Sequence, residues 1–184
     1  MKKLFILFSV LIFGITTTFA YNCPRWRDIP IHVYIPEEGH YSVLMRKAFE
    51  EWQHISNGLV RFKYVNRQSD ADIFVEFVDY VTDCGSESAV GCAHTYTKNG
   101  FFTQSYIEIG TKERSLNVNR DGKFVKQETG RSNDHLYGVM LHEIGHALGF
   151  KHSESKDSIM YPIDLNELQD LTDEDLRLLI DKYR

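Results

Sequence analysis

The run His142-Glu143-Ile144-Gly145-His146-Ala147-Leu148-Gly149-Phe150-Lys151-His152 constrains this chain more than any other segment. His142 and His146 stand at i and i+4. On a helix that is about one turn, so both imidazoles leave the same face about 6 Å apart along the axis. The spacing suits two ligands of a single zinc ion, each with a Zn–N bond of roughly 2.0–2.1 Å. Glu143 is rotated about 100° around the axis from His142, which aims it at a water beside the metal rather than at the metal. His152 cannot lie on the same straight helix face. Gly149, free to adopt a left-handed conformation, can turn the chain so that His152 swings back as the third ligand. Two histidines one turn apart occur on many ordinary helices, but five specified positions with a glycine before the third histidine are far harder to obtain by chance. Three neutral histidines leave a fourth position for water, as a catalytic zinc requires and a closed structural site does not. Such a water has a pKa of about 7, and Glu143 is the expected general base.

The N-terminus is read apart from the fold. Lys2 and Lys3 precede an apolar run from Leu4 to Ile15, and Thr18-Phe19-Ala20 ends in a small residue. The run is shorter than the ~20 residues that span a bilayer, so residues 1–20 are expected to be a cleaved secretory signal and 21–184 a single domain. No second apolar stretch of that kind follows, so no membrane anchor is expected after cleavage, and the location is expected to be extracellular. The net charge is −5 at pH 7, with no basic run. Nucleic acid is therefore not an expected partner.

Export also bears on Cys23, Cys84 and Cys92. Cys84 and Cys92 flank a short stretch containing Gly85 and Gly91, and a local disulfide is the expectation, with two unlinked thiols as the alternative. Cys23 is then left as a free thiol, an intermolecular bridge or a lipidation site.

Coarse patterning predicts one α/β layer. Ile31, Val33 and Ile35 alternate with polar residues as a strand closed by Pro36; Leu44, Ala48, Trp52 and Ile55 recur at helical spacing, with Ser42 as N-cap and Asn57-Gly58 as stop. Two further alternating stretches are Val60-Phe62-Tyr64 and Ile73-Val75-Phe77. Residues 84–99, rich in Gly, Ser and Thr, read as a loop; Tyr106, Ile107 and Ile109 as a strand ended by Gly110; residues 111–131 as an exposed insertion. A helix is expected from about Ser132 to Leu148, stopped by Gly149. A last helix begins at a capping box of Thr172 and Asp175.

With these residues in place the zinc run resembles that of the metzincin metallopeptidases. Ser158-Ile159-Met160-Tyr161-Pro162 is similar to their methionine turn, and Ser153 after the third histidine with Met-Tyr-Pro in the turn resembles the matrixin branch. The resemblance runs from about Trp26 to Arg184. It implies an α+β fold with a twisted five-stranded mixed sheet, three helices, and a zinc cleft below the edge strand. It implies zinc held by His142, His146 and His152, Glu143 as catalytic base, and Met160 as an apolar floor under the metal. Tyr161, Pro162 and Ile163 would form the wall of the pocket that receives the residue after the cut. The substrate class implied is protein or peptide, and the protein is expected to act as a monomer.

The chain departs from the matrixin pattern in places. Of the family's structural zinc ligands only His94 has a counterpart, and it reads better as a structural or rim residue. Calcium is left open, since the acidic residues show no ligand loop. His32, His40, His54 and His135 carry no ligand spacing. Cys23-Pro24-Arg25 reverses the order of the family's inhibitory cysteine motif. Two other functions compete with hydrolysis: a zinc-binding domain that recognises protein segments without cutting them, and a structural or adhesive domain. Loss of the base or of a ligand would betray the first, and the intact site would be unexplained by the second.

Overall fold

Ile31 and Val33 are fully buried while His32 and Tyr34 are half-exposed, and this alternation makes β1 (Ile31–Tyr34) a strand with one face in the core. The computed structural model describes residues 24–82, 84–85, 89–162 and 170–184. Cys23, Ile163 and residues 1–20 lie outside them. After β1 come α1 (His40–Ile55), β2 (Phe62–Tyr64), β3 (Ile73–Val78), β4 (Gly91–Lys98) and β5 (Phe101–Gly110). The chain continues through β6 (Lys112–Val118), β7 (Phe124–Gly130), α2 (Asn133–Ala147) and α3 (Asp173–Tyr183).

The main sheet has the order β2-β1-β3-β5-β4. β1 pairs in parallel with β2 and β3, and β3 with β5, while β4 runs antiparallel to β5 at the edge. This is the mixed five-stranded sheet with three helices expected from the sequence. Met45, Phe49 and Trp52 of α1 and Leu136, Met140, Leu141 and Ile144 of α2 close the core against Ile73, Val75, Ile107 and Ile109 of the sheet. Trp52 also spends its only polar atom inside the core, donating from Nε1 to Leu141 O at 3.0 Å, which ties α1 to α2.

Three local expectations are corrected. Ser42 is not the N-cap of α1: the helix starts at His40 after Gly39, whose φ of +59° turns the chain, and the Ser42 hydroxyl instead donates to Pro36 O while accepting from Glu38 N. Residues 84–99 are not all loop, because Gly91–Lys98 forms β4 on the open side of β5. The signal for it was Asn99-Gly100, both at positive φ (53° and 80°), the two-residue turn that closes β4 onto β5. Residues 111–131 are exposed as expected over much of their length, with Thr111 buried, but they form an ordered hairpin, β6 paired with β7 from Lys112↔Gly130 to Val118↔Phe124.

Candidate metal centre

α2 carries His142, Glu143 and His146. Ser132 caps its start, accepting from His135 N at 3.3 Å, as the sequence placed it. Its other end is a Schellman turn: Phe150 N donates to Gly145 O at 2.9 Å and Gly149 N to His146 O at 2.8 Å, with Gly149 at φ +90°. The last carbonyls of the helix are also satisfied from outside it, Ala147 O by Trp26 Nε1 at 2.9 Å and Leu148 O by the Tyr183 hydroxyl at 3.0 Å. The turn after Gly149 brings His152 back over the helix.

Two carbonyls orient the helical imidazoles. His142 Nδ1 lies 2.6 Å from Ile159 O and His146 Nδ1 2.8 Å from Phe150 O. A carbonyl only accepts, so each Nδ1 carries the proton and each Nε2 keeps its lone pair. One nitrogen from each of His142, His146 and His152 lies within 4.8 Å of the others. His146 Nε2 and His152 Nε2 are 3.2 Å apart, close to the ~3.4 Å edge of a tetrahedron with Zn–N bonds of 2.1 Å. Burial holds His142 below the ordinary imidazole range and pushes His146 down to about 4. Both are therefore neutral at neutral pH, as ligands must be. The donor chemistry, tautomers and spacing all fit one zinc ion. Among the described residues, no other set of three His, Cys, Asp or Glu side chains is gathered in this way.

Glu143 is 6% exposed, and burial pushes its carboxyl up to about 8. The backbone of β4 forms a wall against it. A Cβ on Gly91 would stand 2.5 Å from Glu143 Cγ, 2.6 Å from its Oε1 and 2.7 Å from Val139 Cγ1, so only glycine lets the strand approach this closely. The next residue, Cys92, is disulfide-bonded to Cys84 with a Cα–Cα distance of 5.7 Å, the pairing expected from the sequence.

Met160 is fully buried against Gly145 of α2. A Cβ on Gly145 would meet Met160 Sδ at 2.2 Å, so the missing side chain between the two ligand positions is the space the methionine fills. The turn that carries it is held by Asp175, which is also fully buried. Asp175 accepts from Ser158 Oγ (2.6 Å) and Ile159 N (3.2 Å) and, within its own capping box, from Thr172 N and Oγ1 (both 2.9 Å). Reading the sequence found the capping box but missed this second use of the carboxylate, along with Gly91 and Gly145. Tyr161 and Pro162 follow the turn, half-buried and exposed respectively. His94 sits away from the cluster, with Nε2 3.3 Å from Cys92 Sγ and its ring parallel to Tyr106, and His32 pairs with Asp72 at 3.0 Å.

The family model described as matrixin matches residues 32–183. Stromelysin-2 of Rattus norvegicus is 28% identical over 151 residues, covering 76% of this chain and 28% of the relative. The interstitial collagenase of Oryctolagus cuniculus is 28% identical over 148 residues, with 76% and 28% covered. The macrophage metalloelastase of Rattus norvegicus is 26% identical over 147 residues, with 75% and 27% covered. The chain thus spans little more than a quarter of the length of these relatives.

Proposed function

The chain belongs to the matrixin family, and from that membership we propose that it is a secreted zinc-dependent endopeptidase in which Glu143 is the general base. The observation that carries this reading is the convergence of three imidazole nitrogens within 4.8 Å, two of the rings oriented by backbone carbonyls, beside the buried carboxyl of Glu143. Zinc bound there supplies Lewis acidity, which makes a water nucleophilic near neutral pH and polarises a peptide carbonyl. Glu143 takes the proton of that water as it attacks and returns it to the leaving amine. Gly91 and Val139 confine the carboxyl while it does so.

β4 is the edge of the sheet, so an extended peptide can add to it as a further strand, with backbone hydrogen bonds that do not depend on sequence. Tyr161, Pro162 and Ile163 would then wall the pocket for the residue after the cut. They carry no charge to pair with a Lys or Asp, which favours a medium or large apolar side chain there by about one to two decades. Residues 1–20 serve as the export signal. No helix among the described residues is long and apolar enough to cross a membrane.

Purified protein incubated with a denatured protein should fragment it, stop when a chelator is added, and resume when zinc is restored. The Glu143→Ala variant should bind zinc but lose about 10²–10⁴-fold in rate. Wild-type cleavage by that variant, or cleavage indifferent to chelation, would overturn the mechanism. Sequencing the cuts in a peptide library tests the pocket, and a dominant charged residue after the scissile bond rules it out.

A further inference from the structure

The β6–β7 hairpin takes no part in the metal centre, yet its far end departs from the rest of the surface in two independent ways. Five large hydrophobic residues stand exposed among the described residues, and three of them are here: Val118 at 59%, Phe124 at 77% and Val125 at 45%. Val118 and Phe124 are cross-strand partners, so their side chains lie together on one face of the ribbon, with Lys126 next along it. The second departure is in charge. At the base of the hairpin each cation is matched, Lys112 by Asp79 (2.7 Å), Arg114 by Glu128 (3.7 Å) and Arg131 by Glu113 (3.8 Å). Arg120, Lys123 and Lys126 at the far end make no ion pair among the described residues, and only Asp121 opposes them there. A chain with a net charge of −5 thus presents a local excess of positive charge around exposed apolar groups. The turn itself is ordered, with Asn119 Oδ1 accepting from Asp121 N (3.0 Å) and Lys123 N (2.8 Å), so these side chains project from a fixed end.

We propose that the end of the β6–β7 hairpin is a peripheral docking site for an anionic lipid surface. Phe124 and Val118 enter the boundary below the headgroups, while Arg120, Lys123 and Lys126 lay their stems along it and pair with lipid phosphates and carboxylates. The alternative occupant is an acidic protein. The geometry favours lipid, because a stable protein interface buries upward of about 1,000 Å² with matched shape, which the end of a two-stranded ribbon does not offer. A bilayer requires no shape match. This contact is peripheral, needs no spanning helix, and does not depend on peptidase activity.

The test uses the protein purified as exported, sedimented with vesicles of phosphatidylcholine alone or of phosphatidylcholine mixed with phosphatidylserine. Binding should require phosphatidylserine and weaken with added salt. The triple substitution Arg120→Gln, Lys123→Gln, Lys126→Gln should weaken it about a hundredfold, and Phe124→Ser about tenfold. Val43→Ser, which removes an equally exposed valine from α1, should leave it unchanged. Circular dichroism of each variant checks that the fold persists. Failure of the wild type to bind phosphatidylserine vesicles, or undiminished binding by both hairpin variants, overturns the proposal. So does retention on immobilised polyglutamate without lipid binding, which would assign the hairpin to an acidic protein.

Discussion

Glu143 and Asp175 are both buried carboxylates, and their surroundings give them opposite work. Burial alone pushes Glu143 up to about 8, so in the metal-free protein it holds a proton at neutral pH. His142 and His146, held below the ordinary range, hold none on Nε2. Placing a cation beside Glu143 favours its ionised form. Loading zinc at pH 7 should therefore release up to about one proton from Glu143, and the release should fade above pH 8, where the carboxyl has already ionised. Calorimetric titration in buffers of different ionisation enthalpy measures this, and an equal release by Glu143→Gln would show the proton comes from elsewhere. Asp175 instead acts as an acceptor for four donors that span the methionine turn and the start of α3. Asp175→Ala strands them in the core and should cost about 3 kcal/mol. Because Ile159 O orients His142, zinc affinity should fall with stability. A variant with wild-type melting and metal affinity would remove Asp175 from this role.

At the level of elements, the site depends on how α2 ends and on what leans against it. Gly149 sits at φ +90°, and a Cβ there would meet Pro24 O and Phe102 Cε2, each at 2.7 Å. Gly149→Ala combines left-handed strain with overpacking, so a loss of about 2 kcal/mol or more is expected. The Schellman turn that delivers His152 and orients His146 loosens with it, and zinc stoichiometry read alongside thermal unfolding checks both effects. Gly91→Ala acts from the other side, on Glu143, the proposed base, rather than on the three histidines. It should leave zinc bound while lowering kcat about a hundredfold, since a displacement of about 1 Å at a catalytic group is enough for that. An unchanged kcat would show that β4 does not position Glu143. The Cys84–Cys92 bridge ties the residue beside Gly91 to the preceding loop.

For the whole molecule, one metal ion would join α2, the turn after it and His152, groups that the unfolded chain does not hold together. At a thousandfold excess over Kd such binding adds about 4 kcal/mol. Chelation should lower Tm by about 10 °C, at roughly 2–4 °C per kcal/mol for a chain of this size. Restoring zinc should reverse the change, and a Tm indifferent to chelator would argue against zinc at the three histidines.

Much of the metal centre was legible before the fold, because its chemistry is local in sequence. The i, i+4 pair, the glycine turn and the third histidine lie within eleven consecutive residues, and helix geometry together with the turn at Gly149 brings them together. The Thr172 and Asp175 capping box and the outline of the α/β layer were legible for the same reason, since each rests on a short-range pattern. What sequence could not supply was the long-range closure. Gly91 lies far from Glu143 along the chain, and nothing in its neighbours states that β4 will press on that side chain; its strand forms because β5 offers an open ladder and Asn99-Gly100 turns the chain onto it. Asp175 could be read as a cap, but its carboxylate meets Ser158 through Oδ1 and Ile159 through Oδ2 only after α3 docks against the turn that carries Met160. The sequence by itself determined which atoms can bind and transfer a proton. The tertiary structure decided what confines them, because packing and burial depend on surfaces that segments distant in the chain supply to one another.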